Sequence, residues 1–185
     1  MIAQPKVACY GIAGSHTEAV ILDFFKNEKV QVLYFTALAD VAECVATGVA
    51  DYGVMPTENS QAGAVHGSLE AVTSRNLKII DSFWVDIIHS LILPKGAKIE
   101  QIDTVLSHYQ GLLQCKNYLK NLNPNFNLVK FDDTASSAKH IATKKLKNTA
   151  CVAHARCADV YGLDIYQTAI QDCKSNRTHF MVFCQ

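Results

Sequence analysis

Alternation of short apolar runs with helix-period segments is the feature that most narrows what this chain can fold into. KVACY (6–10), VQVLYF (30–35) and YGVMP (52–56) read as strands, and 17–27, 38–47 and 65–75 carry helical spacing. A second set follows: strands at 103–107, 127–131 and 149–153, with helices over 109–122, 134–145 and 154–161. Between the sets lies LKIIDSFWVDIIHSLILP (77–94), too long and β-branched for one short strand, which reads as a ribbon crossing from one set to the other. The pieces at 163–170 and 179–184 read as closing strands. Repeated strand and helix alternation specifies an α/β fold of mostly parallel sheets, where right-handed crossovers place ligand loops at the carboxyl ends of the strands. Two sets joined by a ribbon predict two lobes, the first over about 1–82 plus 165–185 and the second over about 83–164.

The 185 residues suit one domain or two small lobes, and 49% hydrophobic residues supply apolar surface enough to offset chain entropy. Seventeen basic residues balance seventeen acidic ones, so no overall field draws the chain to nucleic acid or an acidic membrane, and any anion site must be local. Seven cysteines are an odd number without CxxC or zinc-type spacing, which reads as reduced core thiols. The start MIAQPKVACYG shows no leader pattern, and nowhere do about 18 uncharged apolar residues run together. A cytoplasmic protein that neither spans nor binds membranes is the expectation.

Five loops carry polar groups where strands end. GIAGSHTE (11–18) places Gly11 and Gly14 before a helix that Ser15 and Thr17 can cap; an anion cradle and a plain turn both suit it. PTENSQAGAVHGS (56–68) brings together Glu58, Asn59 and Ser60, either to orient a small polar ligand or to cap the next helix. SHYQGLLQC (107–115) sets Gln110 and Gln114 one turn apart on one helix face. In FDDTASSA (131–138), Thr134 can donate a hydroxyl while Asp133 suits a plain N-cap. QDCKSNRTHF (171–180) is a loop running into a strand in which Arg177 and His179 share a face and Thr178 points to the other.

Taken in order, these segments resemble the prephenate dehydratase family from about Val7 to Phe183. The family's GPxGTFSE is similar to GIAGSHTE, and ENSxxGxV is intact as Glu58, Asn59, Ser60, Gly63 and Val65. SHxQALxQC appears through Ser107, His108, Gln110, Leu112, Gln114 and Cys115; STA appears as DTA with Thr134 and Ala135; YGL is Tyr161, Gly162 and Leu163. Among the departures, three concern charge or a lost hydroxyl. The closing TRF motif reads Thr178, His179 and Phe180, so a permanently charged planar arginine gives way to a histidine, whose charge is conditional. Asp133 and Ala64 each replace a serine. Arg177 offers itself as a compensating cation.

The resemblance implies a two-lobed, periplasmic-binding-protein-like fold, each lobe a mostly parallel sheet flanked by helices, with the active site in the interlobe cleft. It implies decarboxylative dehydration of prephenate to phenylpyruvate, without metal or organic cofactor, by a homodimer. Thr178 would assist the departing hydroxyl, and Glu58 or His179 would supply the proton. Gly14, Ser15, Thr17, Asn59, Ser60, Gln110, Thr134 and Arg177 would hold the substrate. The family's ACT regulatory domain has no counterpart in this sequence, which implies a catalytic domain without phenylalanine feedback. An altered prephenate or arogenate enzyme, such as a decarboxylase that retains the hydroxyl, and a non-catalytic binder of the same fold are the alternatives.

Overall fold

Strand pairing divides the long apolar run at 77–94. In the computed structural model, which describes residues 4–26 and 28–185, the run becomes two strands in two different sheets. Residues 1–3, where the sequence shows no leader pattern, and Asn27, the expected end of the first helix, lie outside the described residues.

The first unit comprises the chain up to Ile12, His16–Ile87 and Ser175–Gln185. It contains β1 (Lys6–Tyr10), α1 (His16–Phe24), β2 (Gln31–Phe35), α2 (Leu38–Ala46), β3 (Tyr52–Asn59), β4 (Gly63–Ala64), α3 (Ser68–Thr73) and β5 (Lys78–Asp86). The second unit, Ala13–Ser15 and Ile88–Lys174, contains β6 (Ser90–Leu93), β7 (Thr104–Ser107), α4 (Tyr109–Gln114), α5 (Lys116–Leu122), β8 (Asn127–Lys130), α6 (Thr134–Lys144), β9 (Thr149–Ala153), α7 (Arg156–Tyr161) and β10 (Asp164–Gln167). The chain then returns to the first unit as β11 (Arg177–Cys184). These divisions fall later than the expected 82 and 164. β5 pairs with β11 as far as Asp86, which keeps it in the first unit, and β10 pairs with β6, which keeps it in the second.

Both sheets repeat one topology. The first runs β2-β1-β3-β11-β5, with β4 paired to β3, and the second runs β8-β7-β9-β6-β10. In each, three parallel strands are followed by one antiparallel strand and then by an edge strand that restores the first direction. The sheets are therefore mixed, with the parallel core that βαβ alternation predicts and one reversed strand supplied by the crossing segments.

β11 reads HFMVFC because both of its faces are covered. Phe180 and Val182 pack with Val20 and Ile21 of α1, whereas Met181 and Phe183 pack with Val41, Val45, Ala71 and Val72 of α2 and α3. Each such side chain contributes about 1.5–3 kcal/mol on burial. Gly53 on β3 is required by this packing, since a Cβ there would collide with the buried Phe183 ring. Gly53→Ala should destabilise the fold by about 1–3 kcal/mol through overpacking, read as a lower urea midpoint with an unchanged m-value.

In the second unit Leu91, Val105, Leu119, Ala150 and Val152 form one core, and α6 buries Ala138 and Ile141. The helical run at 109–122 breaks at Cys115 into α4 and α5, because the Asp172 carboxylate accepts from the N–H groups of Asn117 and Tyr118 at the new helix start. Burial pushes the Cys115 and Cys151 thiols up to about 12, with Asp172 adding to the rise at Cys115, so both stay protonated fillers. No helix among the described residues is long and apolar enough to cross a membrane.

Candidate active site

In the first unit a polar cluster is built where β3 ends beside the start of β11. Register pairs Thr178 with Asn59 and with Val85 of β5, and the next step pairs His179 with Glu58 and with Trp84. Paired residues share a face and neighbours alternate, so Thr178 and Asn59 point one way while His179, Glu58 and Trp84 point the other. Arg177, opposite Asp86, goes with His179, as the alternation in the sequence predicts.

Asn59 organises the Thr178 face. Its Nδ2 donates to Thr178 Oγ1 at 2.9 Å, to Asn176 Oδ1 at 3.0 Å and to the Arg177 carbonyl at 3.0 Å. Its Oδ1 accepts from the N–H groups of Gln61 and Ala62, each at 3.0 Å, which fixes the amide orientation. Thr178 is 8% exposed, and because its oxygen accepts from Asn59, its own proton remains to be donated; no acceptor among the described residues takes it. Ser60 stitches the same corner: its N–H donates to the Arg177 carbonyl at 2.8 Å, its hydroxyl donates to the Ser175 carbonyl at 3.2 Å, and its Oγ accepts from Arg177 N at 2.9 Å. Ser60 is therefore a brace for the loop before β11.

The opposite face carries the charges. A bulge leaves Thr57 unpaired and re-aims it, so that its hydroxyl meets His179 Nδ1 at 2.7 Å. The His179 ring also lies 5.1 Å from Trp84, at 52°. Arg177 pairs with Asp86 at 3.1 Å in a largely exposed bridge, and Glu58 is exposed. Thr178 is thus separated by the sheet from Glu58, His179 and Arg177, and the expected proton route from Glu58 or His179 does not lead directly to its hydroxyl. Further along the first unit, Thr17 and Glu18 are buried in the first turn of α1, and the Glu18 carboxylate accepts from Tyr34 at 2.5 Å.

The second unit holds other predicted residues, Gln110 and Thr134 after its strands β7 and β8, and Gly14 and Ser15 on the loop that follows β1. Gly14 has φ +86°, and a Cβ there would stand 2.8 Å from Cys157 Sγ, so α7 seats this loop directly on glycine. The Cys157 thiol donates to the Gly14 carbonyl at 3.2 Å and the Tyr161 hydroxyl to the Ala13 carbonyl at 2.6 Å. Ser15 immediately precedes α1 and is half-buried. Gln110 is exposed on α4, just after His108, whose Nδ1 caps Gln110 N at 3.3 Å. Thr134 opens α6, half-buried, behind Asp133, whose carboxylate accepts from Ser136 N at 2.7 Å and from the Ser136 hydroxyl. Asp133 is therefore an N-cap, and its charge is engaged at a helix terminus.

Two residues went unassigned in the sequence. Asn176, 1% exposed, stands two before Thr178, a spacing that places it on the same face of an extended chain. His89, 3% exposed, bonds through Nε2 to Gln114 Oε1 at 2.8 Å, and this partner was not visible from helix spacing. Burial drives His89 below the ordinary histidine value of 6.5; the Gln114 bond opposes this and His154 adds to it. A depressed folded pKa means the unfolded chain takes up the proton more readily. Stability is therefore full above 6.5 and declines as pH falls through 6.5 towards the folded value. Urea melts between about pH 7 and pH 5 should show a larger acid-side loss for the wild type than for His89→Gln.

No three His, Cys, Asp or Glu side chains among the described residues gather into a metal-binding set. The doubled sheet topology and the loops at the strand ends define a periplasmic-binding-protein-like α/β protein. Prephenate dehydratase from Arthrobacter aurescens, solved in complex with L-Phe, matches this fold with a TM-score of 0.88 at 25% identity, over 97% of this chain and 60% of that one. GqqA, described as a quorum quenching acylase, matches equally well in fold, with a TM-score of 0.88 at 22% identity over 97% of this chain and 64% of that one. The prephenate dehydratase family profile matches residues 7–185, and the chain belongs to that family. Arogenate dehydratase/prephenate dehydratase 6 of Arabidopsis thaliana, a chloroplastic protein, is 33% identical over 180 residues, which is 97% of this chain and 43% of that protein. The bifunctional chorismate mutase/prephenate dehydratase of Pseudomonas aeruginosa is 31% identical over 98% of this chain and 49% of its own length. The chain thus spans less than half the length of these curated relatives.

Proposed function

We propose that the chain catalyses the decarboxylative dehydration of prephenate to phenylpyruvate. In that reaction the bond from the ring to its carboxylate breaks and its electron pair enters the ring. The carbon–oxygen bond across the ring breaks in turn, and its electrons leave with the hydroxyl as hydroxide, which takes up a proton from solvent to become water. Aromatisation supplies the driving force, so the protein need only hold the ring and assist the leaving oxygen. The observation that carries the reading is the hydrogen bond from Asn59 to Thr178, which leaves a nearly buried hydroxyl with its proton to give. Thr178 polarises the leaving oxygen by hydrogen bonding; a threonine hydroxyl is too weak an acid to deliver its proton unaided. Neutral donors of the loops, Ser15, Gln110 and Thr134 among them, bind the carboxylates or the keto group. The homodimer and cytoplasmic location rest on the resemblance and on the cysteine pattern of the sequence.

Arogenate, which carries an amine in place of the keto group, is the second reading, favoured by relatives named arogenate dehydratases at 33–35% identity. Supplying the purified chain with each substrate in turn separates the two. Phenylpyruvate from prephenate with a higher kcat/KM than phenylalanine from arogenate supports the first, and the reverse order overturns it.

A further inference from the structure

An amide group has only two N–H bonds to give, yet three oxygens stand within reach of Asn59 Nδ2. One of the three, the Arg177 carbonyl, already accepts from Ser60 N at 2.8 Å. That carbonyl keeps one lone pair for Asn59, so the two Asn59 protons are shared among it, Asn176 Oδ1 and Thr178 Oγ1, the two side-chain oxygens lying at 3.0 Å and 2.9 Å. Asn176 is buried, and its own carbonyl accepts from Ile87 N at 2.8 Å, which anchors it to the segment that leaves β5. We propose that Asn176 is a positioning residue for Thr178: by holding one N–H of Asn59 it fixes the amide plane, so that the other N–H reaches the threonine oxygen and turns the hydroxyl proton outward. Without that acceptor the amide can pivot about the backbone N–H groups that hold its oxygen, and the threonine hydroxyl loses its single orientation.

The inference rests on the reading of Thr178 as the hydroxyl that assists the leaving group, and a double-mutant cycle separates the two. Phenylpyruvate formation from prephenate is measured for the wild type, Asn176→Ala, Asn176→Asp, Thr178→Ala and the Asn176→Ala/Thr178→Ala pair, with thermal melts alongside. Asn176→Ala should lower kcat about tenfold, the size of one lost hydrogen bond acting on the barrier, with little change in KM. Asn176→Asp keeps the acceptor oxygen and should hold kcat within about threefold while its added charge raises KM for a dianion. In the Thr178→Ala background, Asn176→Ala should cost nothing further. Losses that multiply in the pair, or equal kcat losses for Asn176→Ala and Asn176→Asp, overturn the inference while leaving Thr178 in its role. An unchanged kcat in Thr178→Ala sinks the reading of Thr178 and the inference with it. If Asn176→Ala fails to fold, Asn176→Ser, whose hydroxyl is too short to reach Asn59, takes its place in the same cycle.

Discussion

Thr178→Val should leave the fold standing and lower kcat for phenylpyruvate formation by about 10²–10³, the loss typical of removing one preorganised donor aimed at developing charge. Valine matches threonine in volume, and the site is nearly buried, so the surrounding β3 and β5 contacts persist. What disappears is the hydroxyl whose oxygen is held by Asn59 and which the proposed reaction uses to polarise the leaving oxygen. KM should change little, because the proposed reaction assigns the ground-state contacts to the carboxylates to other residues. Thr178→Ser retains the hydroxyl and should keep most of the activity. Steady-state kinetics on the three proteins checks this, and near-equal kcat for Thr178→Val and wild type would remove Thr178 from the mechanism.

The second large effect is expected at Asn59. Asn59→Asp keeps an oxygen to accept from Gln61 N and Ala62 N, so the turn after β3 survives. The donor, however, becomes a carboxylate oxygen set against Asn176 Oδ1, the Arg177 carbonyl and Thr178 Oγ1. The two N–H donors are lost and the carboxylate is set against Asn176 Oδ1 and the Arg177 carbonyl, at a cost to stability of about 1–3 kcal/mol. Thr178 would also turn its proton towards the new carboxylate and away from substrate, so kcat should fall by about 10² or more. Protonating the carboxyl restores an O–H donor, and activity of the variant relative to wild type should therefore rise as pH falls. A pH profile for Asn59→Asp that parallels the wild type would show that the donor is not what matters at this position.

Much of this arrangement was legible before any coordinates. The strand and helix alternation located nearly every element, and the side-chain alternation at 177–179 placed Arg177 and His179 opposite Thr178, as the register with β5 bears out. What stayed hidden depends on partners distant in sequence. Nothing local in 77–94 marks the change from β5 to β6, because it arises from β5 pairing with β11 and β6 with β9. The helix break at Cys115 is invisible in its own periodicity because the cap that starts α5 comes from Asp172. Glu58 shares a motif with Asn59 yet faces the other side of the sheet, which adjacency in sequence does not reveal until the strand is recognised. Asp133, which suits a plain N-cap in the sequence, caps α6 through its bonds to Ser136.

The loss of a fixed cation at position 179 gains meaning from the same geometry. His179 meets Thr57 and Trp84 on the face away from Thr178, and Arg177 is paired with Asp86 on that face too. His179 therefore lies on the face opposite the hydroxyl and takes no part in the Asn59, Thr178 and Asn176 cluster.

The most direct measurement is the simultaneous quantification of carbon dioxide and phenylpyruvate released from prephenate by the purified chain. The account predicts catalytic turnover with the two products in equal amounts, since loss of the carboxylate and loss of the hydroxyl are one process. Carbon dioxide without phenylpyruvate would mean a decarboxylase that retains the hydroxyl, and prephenate binding with neither product would mean a binding protein; either result contradicts the account.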